Sequence, residues 1–557
     1  MDVGDTLFQI QRYIESDEEF ELNTDQNLKQ HLKRVKQNLV DIEDVETSDK
    51  EDNGNEEEVE GFTVLGKAEF KKKQQVKRVL PKWITEPELI SKDLQNLTVD
   101  ISSITQLDPY LIEKLKELGI TYFFPVQVAV IEWLLRNEKM NYFYRPRDIC
   151  VTAPTGSGKS LAFILPVVHS LLKYRTKKIR ALIVTPTNIL AKQLCLTLNH
   201  FIKDTHLTAL CNSSYEDEKR LLVASDPIYG HINKVDIYVT SGDRLIEHLK
   251  YSKGFDLSHL EYLVLDEADI LLHTSNWLIY LEKHISMNSK TVLHNNLLNV
   301  DTLKTKNHIQ KLLFSATLTY DPEMLEAVDL FQPKLFSAST FKEDKPQFSL
   351  PMELKNKYVE CEDADAPLML YKLIVDRNLK RTMVFANSKE DVVKLTNLLK
   401  LFFADQKKSI SNIVHEDKKT QSRVLRDFQD GSIDILVGTD LLCRGMDFGE
   451  VNCIISYHAP KVVQTYVHRA GRTARAGKEG LALTIASGQH AEKFKSFVRS
   501  NIPSLKQIKI PDDQLTDLRP RYEEVLGQLH ERIREEHQLE REKRKELYVD
   551  HRKRMKK

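Results

Sequence analysis

Short runs of aliphatic and β-branched residues alternate with longer, helix-like segments through the middle of the chain. Two sets of such runs predict strands, at 149–153, 181–185, 237–240, 262–265 and 312–315, and then at 382–386, 433–438, 453–457 and 481–485. Unbroken apolar strands separated by helical segments are typical of parallel sheets covered on both faces. An extended, proline-containing segment, 341–351, lies between the two sets. The pattern therefore predicts an α/β fold with two domains joined by a hinge.

The N-terminal part of the chain has a different character. Residues 1–60 are acidic and poor in aromatic side chains, whereas 67–82 are basic. Such sequences bury too little apolar surface to fold alone, so we predict that 1–82 is a disordered extension, first acidic and then basic. The two predicted domains follow at 100–345 and 352–510.

The C-terminal residues 511–557 are expected to form a charged helical tail with a basic end. Glutamates and arginines are intermixed over 521–545, which is typical of a solvated helix with ion pairs between successive turns. The basic terminus 551–557 is a candidate for RNA phosphate contacts or for a nuclear address, and so is the basic segment 67–82.

The composition limits the class of protein rather than its activity. The 557 residues are 41% hydrophobic and 29% charged, with a formal net charge of −1, which suits a globular protein with charged ends. The six cysteines include no C-x-x-C pair, which argues against a structural zinc site and a secreted disulfide framework. No secretory signal is evident, and the longest apolar stretch, 161–172, is too short to span a membrane. We therefore expect no membrane contact and a reducing compartment, either cytoplasm or nucleus.

The segment Ala-Pro-Thr-Gly-Ser-Gly-Lys-Ser at 153–160 directly follows a predicted strand and opens a helix. Its glycines let consecutive backbone N–H groups point at phosphate oxygens, and the helix N-terminus adds positive potential. A lysine and a serine at the end of such a loop bridge the terminal phosphates and coordinate Mg²⁺. A glycine-rich turn with a lysine also arises by chance, but the strand–loop–helix context favours an ATP site. The candidate ATP ligands are Ala153, Pro154, Thr155, Gly156, Ser157, Gly158, Lys159 and Ser160.

A second acidic element, Leu-Val-Leu-Asp-Glu-Ala-Asp at 263–269, ends another predicted strand. Asp266 is placed to hold the hydrated Mg²⁺ together with Ser160, and Glu267 to orient or deprotonate the attacking water. Phosphoryl transfer depends mainly on positioned charge, so these carboxylates and Lys159 form the expected catalytic minimum. Alone, acidic residues after a strand are usually a helix N-terminus, where negative charge is favourable.

The letters Asp-Glu-Ala-Asp at 266–269 spell the signature of the DEAD-box RNA helicases, which the chain resembles over roughly 105–505. The resemblance implies two tandem RecA-like parallel-sheet domains that share one ATP site, with flexible charged extensions at both ends. It also implies coupling between hydrolysis and RNA binding through Asp269, Ser315, Thr317 and His468. Gln127 resembles the residue that reads the adenine base, and Asp447 one that contacts the ribose. The RNA contacts implied by the resemblance are Pro186, Thr187, Ser241, Arg244, Thr439, Arg444 and Gly445.

A further segment, His-Arg-Ala-Gly-Arg-Thr-Ala-Arg at 468–475, resembles the arginine-finger motif. Arg472 and Arg475 are three residues apart, so one helical turn can present both guanidinium groups in the same direction. They can neutralise charge on the γ-phosphate only when the second domain closes over the first, and an arginine finger is worth on the order of 10³–10⁵ in rate. An isolated pair with this spacing is more often a solvated helix face.

Several positions depart from the family pattern. Asn188 and Ile189 stand where the family has arginine and glutamate, and Asp243 stands where it has glycine. Cys443 replaces an alanine, and no aromatic residue lies in 87–108, where the family places a ring that stacks on adenine. We therefore expect weaker phosphate contacts than in typical members, with the hydrolytic residues all present.

Within the family, the segments 144–150 and 318–322 and the alanine at 474 resemble a nucleolar branch associated with large ribosomal subunit assembly. The resemblance implies an ATP-dependent RNA helicase with a monomeric core that acts on pre-ribosomal RNA beside assembly factors, in the nucleus and nucleolus. One alternative is an ATP-gated RNA clamp or assembly scaffold with little unwinding activity. Another is a DNA translocase, which DNA and RNA should stimulate equally.

Overall fold

The computed structural model describes residues 81–534, except for 92, 95–96, 139–144, 212–213, 227–229, 275, 294–307, 318–324, 326, 339–340, 343–344, 347–349, 407, 415–417, 441–447, 503–504, 512 and 532–533. Residues 1–80 of the predicted extension 1–82, and the basic terminus 551–557, therefore lie outside the described residues. All described residues belong to one compact unit, Val79–Lys557.

The first domain is built on a parallel sheet with the strand order β1-β12-β4-β11-β10-β5-β9-β6. Its strands, with those of two short antiparallel ribbons, β2–β3 and β7–β8, are β1 (Glu88–Leu89), β2 (Val99–Asp100), β3 (Tyr122–Phe123), β4 (Ile149–Thr152), β5 (Ala181–Thr185), β6 (Ala209–Cys211), β7 (Val223–Asp226), β8 (Gly230–Asn233), β9 (Ile237–Ser241), β10 (Tyr262–Asp266), β11 (Gln310–Ser315) and β12 (Lys334–Ser337). The helices are α1 (Lys82–Thr85), α2 (Pro109–Glu117), α3 (Pro125–Glu138), α4 (Lys159–Leu172), α5 (Asn188–Ile202), α6 (Tyr215–Leu222), α7 (Gly242–Tyr251), α8 (Ala268–His273) and α9 (Asn276–Leu293).

Helices cover both faces of this sheet, as strand β10 illustrates. Val264 belongs to an apolar cluster that includes α2 to α5, whereas Leu263 and Leu265 belong to a second cluster that includes α7 to α9. Successive side chains of a strand point to opposite faces, so a strand buried on both faces has an unbroken apolar sequence. This is the pattern from which the strands were predicted.

The segment between the domains contains a short antiparallel pair, β13 (Phe341–Lys342) and β14 (Lys345–Pro346). We predicted an extended hinge over 341–351, and the described part of that segment instead turns back on itself. The two-residue strands are too short to form a third layer, so they serve as a connection between the two sheets.

The second domain repeats the architecture with the strand order β17-β18-β16-β19-β20-β15-β21, again with parallel pairs. Its strands are β15 (Leu354–Cys361), β16 (Thr382–Phe385), β17 (Ile410–Ile413), β18 (Ile435–Gly438), β19 (Cys453–Ser456), β20 (Gly480–Ser487) and β21 (Lys506–Ile508). The helices are α10 (Ala366–Asp376), α11 (Lys389–Phe402), α12 (Lys418–Gln429), α13 (Val463–Ala470), α14 (Gly488–Asn501), α15 (Asp513–Thr516) and α16 (519–531). The predicted α/β fold with two parallel-sheet domains is confirmed.

The prediction missed strands whose sequences are not continuously apolar. Strand β15 carries Lys355, Asn356 and Lys357 and has an irregular burial pattern, although it pairs with β20 on one side and β21 on the other. Its pairing partners are distant in sequence, so the pattern of the strand alone does not reveal it. The four-residue strand β12 was missed for the same reason, because it pairs with β4 of the first sheet, which is distant in sequence.

The C-terminal helix corrects the prediction of a fully solvated tail. Val525 and Leu529 of α16 are buried in the apolar core of the second domain, and the ring of Tyr522 stacks on Phe402 with centroids 5.8 Å apart. These apolar positions recur every three or four residues, which gives the charged helix one buried face. Residues 535–557, including the end of the predicted solvated stretch, lie outside the described residues.

No helix among the described residues is both long and apolar enough to cross a membrane.

A buried ion pair joins two neighbouring strands of the first sheet. Arg180, just before β5, and Asp236, just before β9, form a contact of 3.0 Å between Nη2 and Oδ1, with side chains only 3% and 6% exposed. The second oxygen of Asp236 accepts hydrogen bonds from the backbone N–H and the hydroxyl of Thr208. A buried pair of this kind is costly to break, because removal of one charge leaves the other without compensation.

We expect Asp236→Asn to lower the free energy of unfolding by about 3–5 kcal/mol, since it leaves the buried Arg180 guanidinium without its anion. Urea denaturation monitored by circular dichroism would measure the loss. Glu132→Gln is the matched control, because it breaks the exposed pair in which Arg136 Nη2 lies 2.6 Å from Glu132 Oε2. That pair should contribute less than about 1 kcal/mol. Equal losses in the two variants would contradict a stabilising role of the buried pair.

Candidate active site and RNA-facing surface

The phosphate loop lies between β4 and α4, at the carboxyl edge of the first sheet. Gly156 and Gly158 both have φ near +79°, a left-handed conformation that glycine adopts without steric cost. Lys159 opens the helix, and its Nζ donates hydrogen bonds to the carbonyls of Ala153 and Pro154 at 2.9 and 2.8 Å. Burial lowers the pKa of Lys159 to about 8, although the neighbouring carboxylates favour its charged form. The loop thus brings the lysine and the backbone N–H groups of a helix N-terminus to one place.

Gln127 connects the loop to the segment that precedes it. Its Oε1 accepts a hydrogen bond from the Phe124 N–H at 2.8 Å, and its Nε2 donates to the Gly158 carbonyl at 3.1 Å. A methyl group at position 158 would lie within 2.3 Å of Gln127 Nε2, so this glycine also permits the close approach. Sequence reasoning missed the other residues on this side of the cavity, among them Tyr122, an exposed aromatic ring.

The two carboxylates predicted to be catalytic lie at the end of β10. Asp266 is buried, and Glu267 adopts φ = +52°, an unusual left-handed conformation for a residue with a side chain. Burial, and then the charge of Glu267, raise the pKa of Asp266 to about 7, because two adjacent anions in a confined site repel each other. A divalent cation between them and a phosphate chain would relieve this repulsion.

Asp269 links the two domains. His468 Nε2 of the second domain lies 2.9 Å from Asp269 Oδ2, and the hydroxyl of Thr317 donates to the same oxygen. Burial disfavours the charged carboxyl group, but the charge and hydrogen bond of His468, followed by the hydrogen bonds of Thr317 and Ser315, hold the pKa of Asp269 well below its usual range. The predicted coupling residues therefore meet in one network across the domain boundary.

The arginine-finger segment of the second domain contacts the phosphate loop directly. A methyl group at Gly471 would overlap Thr155, and one at Gly156 would lie within 3.0 Å of Arg475, so both glycines are required by this approach. Arg472 Nη2 lies 3.6 Å from Glu267 Oε1. The predicted finger arginines are thus on the catalytic side of the boundary, not on a solvated helix face.

A cavity of about 700 Å³ opens between the domains. Its lining includes the coupling residue His468 and most of the predicted catalytic and nucleotide-binding residues: Gln127, Thr155, Gly156, Gly158, Lys159, Ser160, Asp266, Glu267, Arg472 and Arg475. Ser157 is buried instead, and its hydroxyl donates to the Pro154 carbonyl. The cavity can enclose a nucleoside triphosphate, and Ser160 and Asp266 offer the hydroxyl and carboxylate oxygens that Mg²⁺ prefers beside phosphates.

The predicted RNA-contacting residues of the first domain lie at two helix N-termini outside this cavity. Thr187 caps α5 by accepting the Leu190 N–H, and Ser241 precedes α7. The Ser241 hydroxyl donates to Asn188 Oδ1 at 2.5 Å, which ties the two helix ends together. Pro186, the remaining residue predicted here, immediately precedes Thr187. Two adjacent helix N-termini favour anions, which suits the phosphates of a nucleic acid strand.

The N-terminus of α7 is packed closely against the rest of the domain. A methyl group at Gly242 would lie within 2.9 Å of the buried Trp277, which explains a glycine at this position. Asp243, which we expected to repel phosphate, is exposed in the first turn of the helix. A carboxylate there also interacts favourably with the helix dipole, so its charge is partly compensated.

In the second domain, Thr439 is buried, and the next residue, Asp440, is held by an arginine. Arg469 forms a two-pronged ion pair with Asp440, at 2.6 and 2.7 Å, and also donates to the His458 carbonyl. This bridge holds the end of β18 against α13, and sequence reasoning did not predict it. Arg444, Gly445 and Asp447, together with Cys443, lie outside the described residues.

Comparison with known families agrees with this geometry. The DEAD/DEAH box helicase family matches residues 124–325, and the helicase conserved C-terminal domain family matches 365–477. These two regions contain most strands of the two parallel sheets and most of the residues that line the shared cavity.

Similar proteins are named ATP-dependent RNA helicases. The chain is 35% identical to the ATP-dependent RNA helicase DDX51 of Danio rerio, with 86% of this chain and 77% of that protein aligned. It is 34% identical to the Homo sapiens DDX51, over 85% of this chain and 75% of that protein. It is also 32% identical to the ATP-dependent RNA helicase dbp6 of Schizosaccharomyces pombe, over 79% and 77% of the two chains.

Solved structures share the fold. The DEAD-box helicase Mss116 bound to single-stranded RNA and UDP-BeF aligns with a TM-score of 0.60 at 23% identity, over 77% of this chain and 82% of that one. Dbp5 of S. cerevisiae bound to RNA and ADP-BeF3 aligns with a TM-score of 0.54 at 20% identity, over 75% and 98%. The chain belongs to the DEAD-box family of ATP-dependent RNA helicases.

Proposed function

We propose that this helicase uses ATP binding and hydrolysis to remodel pre-ribosomal RNA or its protein complexes during large-subunit assembly. It acts in the nucleus and nucleolus, as a monomeric core that works beside assembly factors. The observation that supports ATP-driven remodelling best is the cavity that both domains line. The ribosomal role rests on the resemblance of segments 144–150 and 318–322 and of Ala474 to one branch of the family. Crosslinking the protein to RNA in cells and sequencing the bound RNA tests it, and no enrichment of pre-ribosomal RNA would contradict it.

The residues that line the cavity have complementary chemical roles. Lys159 and the loop N–H groups bind the β- and γ-phosphates, while Ser160 and Asp266 hold Mg²⁺, which neutralises phosphate charge when bound. Glu267 orients the attacking water. Arg472 and Arg475 stabilise the charge that develops on the γ-phosphate, and they reach it only with the second domain in place. Gln127 and Asp447 bind the adenine and ribose.

RNA binding is coupled to this chemistry through Asp269. The strand lies along the N-termini of α5 and α7 in the first domain and the region of Thr439, Arg444 and Gly445 in the second. Ser315 and Thr317 contact Asp269 within the first domain, and His468 completes the network only when the second domain is engaged. Contacts with backbone phosphates and 2′-hydroxyls make such binding selective for RNA and nearly independent of its sequence.

A second candidate function, an ATP-gated RNA clamp with little unwinding, is favoured by Ile189. This residue of α5 packs against an apolar cluster of the second domain that includes Met383 and Phe385. An apolar contact across the boundary stabilises the closed arrangement and so prolongs RNA binding. A duplex-release assay beside an ATPase assay separates the two functions, because a clamp hydrolyses ATP without releasing strands.

We expect Lys159→Ala to abolish ATP hydrolysis, because the ammonium group that binds the terminal phosphates is lost. Glu267→Gln should still bind ATP and RNA but stall before hydrolysis, since only activation of water is removed. Phosphate release and RNA retention on a filter would be measured together. Turnover near the wild-type rate in either variant would contradict the assignment of the catalytic residues.

We expect Arg475→Ala to lower RNA-stimulated turnover by about 10³-fold or more, as for other arginine fingers. ATP binding in the absence of RNA should change little, since the lost contact belongs to the closed arrangement. The matched control is Arg423→Ala, which removes an arginine of the second domain whose side chain is 84% exposed. Similar losses in both variants would indicate a general charge effect instead of a finger.

We expect Ile189→Ser to speed RNA dissociation about fivefold in the presence of a non-hydrolysable ATP analogue. The reason is a loss of about 1 kcal/mol from a half-buried aliphatic side chain. Leu196→Ser on the same helix is the control, because Leu196 is 71% exposed. Dissociation is followed by fluorescence after addition of unlabelled RNA. An unchanged rate in Ile189→Ser would show that this contact does not hold the domains together.

A further inference from the structure

A buried polar network lies behind the N-terminus of α7. Glu218 of α6 is completely buried, and its Oε2 accepts hydrogen bonds from the Tyr238 hydroxyl at 3.1 Å and from His248 Nε2 at 2.9 Å. The other ring nitrogen of His248 is 2.8 Å from Ser252 Oγ, which fixes the orientation of the imidazole. None of these groups contributes to the nucleotide cavity.

Arg244, in the first turn of α7, lies between this network and the surface. Its Nε is 3.7 Å from the buried Glu218 Oε2, and its Nη1 is 2.6 Å from Glu247 Oε2, one turn further along the same helix. The Arg244 side chain is 16% exposed, whereas that of Glu247 is 49% exposed. Two carboxylates of very different exposure therefore share one guanidinium group.

The two carboxylates must respond differently when an anion approaches. Glu218 cannot leave its position, because it has no path to solvent and a buried carboxylate without a cation is strongly unfavourable. Glu247 can rotate into water at small cost, because an exposed pair three residues apart on a helix contributes only a few tenths of a kcal/mol. An arriving phosphate can therefore displace Glu247 but not Glu218.

We propose that Glu218 anchors the Arg244 guanidinium and that Glu247 occupies the place on Arg244 that an RNA phosphate takes. Glu218 is thus a positioning residue for RNA binding, and Glu247 is a displaceable competitor of the RNA. This inference rests on the proposed contact of Arg244 with RNA. It places the competing carboxylate beside the two helix N-termini that are tied together by Asn188 and Ser241.

The two carboxylates predict effects of opposite sign. Glu247→Gln should tighten RNA binding about twofold, because the competing charge is removed while the anchor remains. Glu218→Gln should weaken binding, since the guanidinium is then drawn only to Glu247. It should also flatten the salt dependence by about 0.7 in the logarithmic slope, the contribution of one single-strand phosphate contact.

The experiment is a titration of full-length protein with a fluorescent single-stranded RNA oligonucleotide at several salt concentrations, in the presence of a non-hydrolysable ATP analogue. Arg244→Ala, Glu218→Gln, Glu247→Gln and the double variant of Glu218 and Arg244 are compared with the wild type. If Glu218 acts through Arg244, the double variant binds no more weakly than Arg244→Ala alone. Thermal unfolding midpoints identify any variant that is not folded.

Additive losses in the double variant, or weaker binding by Glu247→Gln, would overturn the inference. Glu247 is largely exposed, so its variant tests the proposal even if Glu218→Gln does not fold. If Arg244→Ala bound RNA as tightly as the wild type, the proposed RNA contact itself would be wrong. If Arg244→Ala weakened binding while Glu218→Gln and Glu247→Gln had no effect, Arg244 would contact RNA but the proposed roles of Glu218 and Glu247 would be wrong.

Discussion

The arrangement of the two domains depends on the buried carboxylate of Asp269. Burial of an anion is unfavourable unless charge and hydrogen bonds compensate it, and one of its partners, His468, belongs to the other domain. Thr317, at the end of the neighbouring strand β11, supplies another. His468 is therefore the contribution of the second domain to the stability of this carboxylate, in addition to the hydrogen bonds that the first domain supplies. The contact joins the edge of the first sheet that carries Asp266 and Glu267 to the second domain.

The same edge of the molecule contains unusual backbone conformations. Glu267 in the first domain and Ala474 in the second both have φ near +50°, at 52° and 53°, and each adjoins a residue that faces the phosphate site. A left-handed conformation costs an ordinary residue roughly 1–2 kcal/mol, which the surrounding packing has to offset. Ala474 is buried, and its methyl group lies against Gly480, where any larger residue would overlap it. An unfavourable backbone conformation that is held by packing indicates that the position of the neighbouring Arg475 matters for function.

Sequence reasoning succeeded where the physics is local. A strand buried on both faces has to be apolar throughout, and a phosphate loop has to carry glycines, so the sheet centres and the loop at 153–160 were predictable. It failed where the information lies in distant partners. Strand β15 is recognisable only from its neighbours β20 and β21, and the buried face of α16 only from the core that it covers. Glu218 gave no signal either, because a glutamate in a charged helix is ordinarily exposed.

The residues at 188 and 189 differ from the family pattern, and the structure shows that they make other contacts than the family's arginine and glutamate would suggest. The absence of the family's arginine and glutamate suggested only weaker RNA binding. In the structure Asn188 instead fixes the spacing of two helix N-termini through Ser241, and Ile189 contacts the second domain. If RNA lies along these helix ends as proposed, backbone N–H groups replace the phosphate contacts of a side chain, while the contact of Ile189 adds to domain closure. Because apolar contacts are insensitive to salt, binding of this kind should depend less on ionic strength than binding through arginine side chains.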